Sequence, residues 1–157
     1  KVKTIMKPRA LLLAALLAVS PAIAFAPAAS AEPAIYTGRF SSTALQGYDP
    51  VAYFRNGSPE KGDRNLSADY KGATFLFSSA ANRDAFLADP DAYAPQYGGY
   101  CAWAMAEGKH AKGDARHWKI VDGKLYLNYN SNIQDKWNAD IPGFISRADT
   151  EWSALNH

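Results

Sequence analysis

The chain is short of sulfur. Its 157 residues include one cysteine, Cys101, and two methionines, Met6 and Met105. A single cysteine excludes an intrachain disulfide and any zinc site built from paired cysteines. Charge of one sign is scarce as well, with Lys+Arg 17 against Asp+Glu 15. The basic residues after position 31 are dispersed, which leaves nucleic-acid binding without an electrostatic footing. Long apolar runs are absent except for Ala10 to Phe25, interrupted by Ser20 and Pro21. Its densest part, Ala10 to Val19, falls short of the roughly 20 residues that span a bilayer. What is present is a content of 48% hydrophobic and 13% aromatic residues. That is enough to fill a core, so a wholly disordered chain is excluded.

The apolar run fits a secretory leader. Lys1, Lys3, Lys7 and Arg9 form its basic start, and Ala29-Ser30-Ala31 supplies small residues for a cleavage site after Ala31. An N-terminal membrane anchor is the alternative, with too short an apolar stretch to span comfortably. No twin-arginine pair occurs, which favours the general secretory route to a periplasmic or secreted location. Four basic residues and no acidic one precede residue 32, so the remainder holds 13 basic against 15 acidic residues, a formal −2. In an oxidising compartment the lone Cys101 must be buried, ligated or joined to another molecule. The expected division is a leader at 1–31, a lead-in segment at 32–46 and one domain at 47–157, without a membrane span in the mature form.

Turn signals and periodicity divide that domain. Asp49-Pro50 followed by Val51-Ala52-Tyr53-Phe54 reads as a turn and a short strand. Lys71-Gly72 precedes Ala73 to Phe77, a half-buried strand with Phe75 and Phe77 on one face. Ser78 or Ser79 caps a helix to about Ala88, limited by Pro90. Gly98-Gly99 leads into an Ala-rich helix from Cys101 to Glu107, stopped by Gly108. Asp122-Gly123 marks a tight hairpin between Trp118–Val121 and Lys124–Tyr129. That turn places Trp118, Ile120, Leu125 and Leu127 on the core face, and His117 on the other face opposite Asn128. Ser131-Asn132-Ile133-Gln134 is a capping box, and Asp140 starts a last helix whose Ile145, Ala148, Trp152 and Leu155 form one stripe. No segment reads as a repeat of another. The expected architecture is α+β: a small, mostly antiparallel sheet with packed helices.

The segments Gly47-Tyr48-Asp49-Pro50-Val51-Ala52-Tyr53-Phe54, Tyr70 to Ser79, Asn82 to Phe86, Asp89-Pro90 and Pro95 to Ala102 resemble secreted members of the YHS-domain family. Trp118 to Asn130 is similar to the extension of the exported subgroup. The resemblance implies a treble-clef-like module with a metal-linked role. In metal-associated members a cysteine follows the Asp-Pro-Val motif and another follows the aromatic residue of the second strand. Here those positions hold Ala52 and Ser78, which are poor soft-metal ligands.

A metal site in this chain must therefore be built differently. Cys101 and Met105, four apart, project from one helical face as a thiolate–thioether pair that selects copper(I). His110 and His117 complete a candidate metal set of Cys101, Met105, His110 and His117, with Asp49 as a carboxylate contributor. Core packing is the competing reading of Cys101 and Met105, a solvated loop that of His110, and a hydrogen bond to Asn128 that of His117. A thiol-dependent enzyme is a minor alternative, with Cys101 activated by the N-terminal end of its helix and by His110 or His117, but no oxyanion hole or orienting third residue identifies it as a nucleophile. The sequence thus points to a non-enzymatic binding module for a metal ion, copper by donor type, or for a small ligand or partner. In the latter case Tyr48, Tyr53, Tyr97, Tyr100 and Trp103 form an aromatic surface and Cys101 is a buried, non-ligating residue.

Overall fold

The computed structural model describes residues 32–155; the expected leader at 1–31 lies outside them, as do the last two residues. The chain is α+β. Its elements are α1 (Ala52–Arg55), β1 (Asp63–Tyr70), β2 (Ala73–Phe77), α2 (Ala80–Ala88), α3 (Pro90–Tyr93), α4 (Ala102–Met105), β3 (Asp114–Val121), β4 (Lys124–Asn128), α5 (Ser131–Asn138) and α6 (Ile141–Leu155). The expected single sheet is instead two antiparallel hairpins, β1–β2 and β3–β4.

The Val51–Phe54 run is a helical turn rather than a strand. Asp49 Oδ1 accepts the N–H groups of Val51 at 2.8 Å and Ala52 at 3.3 Å, which bends the chain into α1. Val51, Ala52 and Tyr53 are fully buried, Phe54 is half-buried and Arg55 is exposed, so the apolar run marks a helical turn whose first part is enclosed. The β3–β4 hairpin keeps the expected pairs Val121–Lys124, Ile120–Leu125 and Trp118–Leu127. A bulge then intervenes, and Asn128 faces Asp114, not His117. The reverse face of this hairpin is not polar. Val121 and Tyr126 pack into a second core with Met105, Trp137 and Ala148, while Leu125 and Leu127 enter the first. The α5 cap also moves by one residue: Asn130 accepts the Ile133 N–H, and Gln134 donates to the Trp118 carbonyl.

Contrary to the expectation from sequence, the backbone repeats itself. Leu45-Gln46-Gly47 and Tyr97-Gly98-Gly99 both run with positive φ, beginning at 52° in each. Each is followed by a tyrosine, Tyr48 or Tyr100, bridged to a lysine, Lys61 or Lys112. Asp49 N–H donates to Glu60 O as Cys101 N–H does to Ala111 O, both at 2.8 Å. Each half continues with a short helix, a bulged hairpin turning at Lys71-Gly72 or Asp122-Gly123, and a capped helix. Ser79 and Asn130 each accept an N–H three residues on, and so do Asp89 and Asp140. Phe86 in the first half and Trp137 in the second are fully buried at equivalent helix positions, against Phe75 and Tyr126 respectively. Truncating such an aromatic costs about 3–5 kcal/mol.

Two features lock the halves together. Gln46, held at φ 49°, donates from its amide to Gly113 O at 3.2 Å and accepts the Ala115 N–H at 2.8 Å. Tyr53 Oη donates to Ala115 O at 2.7 Å. The lead-in segment is not loose. Ile35, Ala44 and Leu45 are buried, and Tyr36 N–H donates to Gly98 O at 2.9 Å.

Candidate functional site

Cys101 is fully buried at the start of α4. The backbone N–H groups of Ala104, Tyr129 and Trp103 surround its sulfur, and Sγ donates to Asn128 Oδ1 at 3.8 Å, which also accepts the Trp103 N–H at 3.3 Å. Burial pushes the thiol up from its ordinary value, with those N–H groups pulling the other way. In the first half Asp49 sits in the same ring of donors. Its carboxylate takes the N–H groups of Val51, Ala52 and Ser78, the Ser78 hydroxyl at 2.8 Å and the Asn82 amide at 2.7 Å. Ala52 and Ser78 thus belong to the structural ring around Asp49.

The expected metal donors are distributed, not gathered. Met105 is fully buried in the second core beside Trp137 and Tyr126. His110 packs against Tyr100 and Trp152, with ring centroids 4.9 Å and 6.3 Å apart. His117 lies half-buried within the β3 bulge, close enough to Asp114 to influence its charge. Among the described residues no three His, Cys, Asp or Glu side chains form a group able to hold a metal ion. Cys101 and Met105 are both fully buried, and the Cys101 thiol is engaged with Asn128 Oδ1.

The proposed aromatic surface is also divided. Tyr53 and Tyr97 are core residues, the latter donating to Asp149 at 2.8 Å. Trp103 is half-buried and carries Lys136 over its ring. Tyr48 and Tyr100, however, border open space. A cavity of about 340 Å³ lies between the halves, lined by Tyr36, Gln46, Tyr48, Lys61, Lys112 and Arg116. It adjoins one of about 530 Å³, which shares Tyr36 and Lys112 and adds Tyr100, His110 and Arg39. The segment Tyr36-Thr37-Gly38 runs along both. Lys61 Nζ lies 3.8 Å from the centre of the Tyr48 ring and donates to Gln46 O at 2.7 Å. His110 Nε2 is buried without a hydrogen-bond partner.

Residues 51–97 match the family model of the YHS domain. That segment resembles a YHS domain. The match covers α1 to the second left-handed turn, most of the first half. No curated protein matches the chain. No solved structure matches it either. The second half repeats the backbone plan of the YHS segment outside the matched residues, and the cleft lies where the two copies meet. Sequence reasoning missed Tyr36, Gln46, Lys61 and Lys112. One signal was available: Lys61-Gly62-Asp63 recurs as Lys112-Gly113-Asp114.

Proposed function

We propose that this protein is a non-enzymatic binding module whose ligand enters the cleft between its YHS segment and the second half. The observation that carries this reading is the joined cavity beneath Tyr36–Gly38, to which both halves contribute equivalent Tyr–Lys elements. Cavities of a few hundred Å³ with a few convergent polar groups suit small molecules. Cys101 serves as a buried, hydrogen-bonded core residue in this account. The metal-linked role implied by the YHS family rests on the family match alone, and the placement of Cys101 and Met105 favours packing. The leader pattern supports action after export, in the periplasm or secreted, with Glu32 as the first residue of the mature form.

Chemical-shift mapping with a panel of small aromatic and aliphatic fragments tests the cleft. Fragments that bind are expected to move the resonances of Tyr36, Tyr48, Lys61 and Gly113. Metal analysis of exported protein runs in parallel. If wild type carries a stoichiometric metal that Cys101→Ser lacks, and no fragment touches the cleft, the metal reading replaces this one.

A further inference from the structure

The repeat brings two equivalent lysines to one cavity, and this determines what the cavity attracts. Lys61 and Lys112 occupy the same position in the two halves, each bridged to its tyrosine, and both line the 340 Å³ cavity. Neither is ion-paired among the described residues, whose three salt bridges are Lys71–Asp91, Arg83–Asp84 and Arg116–Asp114. Lys61 is held by the Tyr48 ring and the Gln46 carbonyl, and Lys112 by the Tyr129 ring at 5.2 Å. Both ammonium groups are thus placed by neutral partners. In the same cavity Asp114 is neutralised by Arg116 at 2.7 Å. Arg64 and Arg39 line the adjoining cavities, where Glu32 is the one acidic residue. A net-negative domain therefore carries a cleft with surplus positive charge, and its low-dielectric walls concentrate that potential.

We infer that the cleft takes a small organic oxyanion: a carboxylate or phosphate head between Lys61 and Lys112, on a planar body lying against Tyr36 and Tyr48. Lysine meets such a head as a point charge, so either oxyanion suffices. The tyrosine rings offer flat amphipathic surface for the body. This deepens the proposed function and rests on the cleft being the binding surface.

Benzoate and phenyl phosphate, with phenol as the neutral control, test the inference by chemical-shift titration. Both anions are expected to move Tyr36, Tyr48, Lys61 and Lys112 resonances, and phenol at least tenfold more weakly. Lys61→Gln with Lys112→Gln is expected to weaken both anions tenfold or more, while Lys136→Gln on α5 leaves them unchanged. The backbone spectrum of each variant verifies the fold. If phenol binds the cleft as well as the anions, or the double variant retains their affinity, the anion assignment is overturned and the cleft remains the binding surface. If no fragment of any charge moves a cleft resonance, the proposed function falls together with it.

Discussion

Cys101 occupies, in the second half, the seat that Asp49 occupies in the first. Each is preceded by a tyrosine and a left-handed turn. Asp49 accepts the N–H groups two and three residues onward and a third from Ser78, which follows the second strand of its hairpin, and the N–H groups at the same three positions of the second half, Trp103, Ala104 and Tyr129, surround the Cys101 sulfur. The seat is a ring of backbone donors that favours an occupant able to accept hydrogen bonds. A carboxylate meets that demand with charge, and a sulfur meets it weakly.

This relationship orders a substitution series. Cys101→Ser keeps an acceptor and is expected to cost about 1 kcal/mol. Cys101→Val takes the sulfur away from the Ala104 and Tyr129 N–H groups, each at about 1–3 kcal/mol, for a total of at least about 2 kcal/mol, while Trp103 N–H keeps its bond to Asn128 Oδ1. Cys101→Asp reproduces the first-half arrangement and is expected to be better tolerated than Cys101→Val. Urea unfolding midpoints give the order. If Cys101→Val equals or exceeds Cys101→Asp in stability, the seat is an apolar slot and its likeness to the Asp49 ring has no energetic content.

The sequence discloses local structure here and conceals the repeat. Asp122-Gly123 predicts a tight turn and its register, because few residue pairs adopt two successive positive φ values. The stripe of α6 is equally plain at Ala148, which is fully buried. The repeat is hidden because equivalent seats carry different chemistry: Asp49 and Cys101, Phe77 and Asn128, Ser78 and Tyr129. Backbone hydrogen bonds and positive-φ turns preserve the plan, and both are nearly invisible in residue types. Leu45 and Gln46 are an example, since neither is a residue that advertises a left-handed turn. The cleft was missed for the same reason, as its residues come from four separate stretches of chain. Sequence proximity grouped Cys101, Met105, His110 and His117; the fold buries the first two at α4, sets His110 against Tyr100 and Trp152, and places His117 in the β3 bulge.

Gln46 is the polar clamp between the halves. Its side chain both donates to Gly113 O and accepts from Ala115 N–H. Gln46→Ala loses both bonds and is expected to cost about 1–3 kcal/mol. Gln46→Glu keeps the acceptor but turns the donor into a second acceptor facing a carbonyl, so it is expected to fall below wild type. Hydrogen exchange is the specific readout. The Ala115 amide is expected to exchange faster in Gln46→Ala, with Phe86 and its neighbours in α2 unchanged. Equal exchange at Ala115 would show that the clamp carries no load.

Acid stability has a defined contributor in the second half. The Arg116 guanidinium holds the Asp114 carboxyl down at about 2, below an ordinary value of about 3.9. A depressed folded value means that the stabilisation is complete above the ordinary value and is lost as pH falls through about 2. Arg116 is largely exposed, so solvent screening keeps the contribution small. Asp114→Asn is expected to be less stable than wild type at pH 6, and the difference is expected to shrink as pH falls from about 4 toward 2. Chemical denaturation at several pH values measures it. A difference independent of pH would assign the effect to hydrogen bonding by Asp114, without a part for its charge.

Two glycines with similar φ test whether the lead-in segment forms the wall of the cleft. Gly98 has φ 60° and Gly123 has φ 72°. A Cβ at Gly123 meets nothing within 4 Å, so Gly123→Ala carries the left-handed backbone penalty alone, about 1–2 kcal/mol. At Gly98 the same atom would run into the Ala34 carbonyl oxygen, against which Tyr36 N–H donates to Gly98 O. Backbone oxygen cannot rotate away as a side chain would, so residues 33–37 must shift. Gly98→Ala is therefore expected to cost more than Gly123→Ala, to expose Tyr36 and Tyr100, and to weaken fragment binding in the cleft. Tyrosine fluorescence and fragment titration read these two effects separately. Should Gly98→Ala bind cleft fragments as wild type does, residues 33–37 do not shape the site, and its wall belongs to the two repeated halves alone.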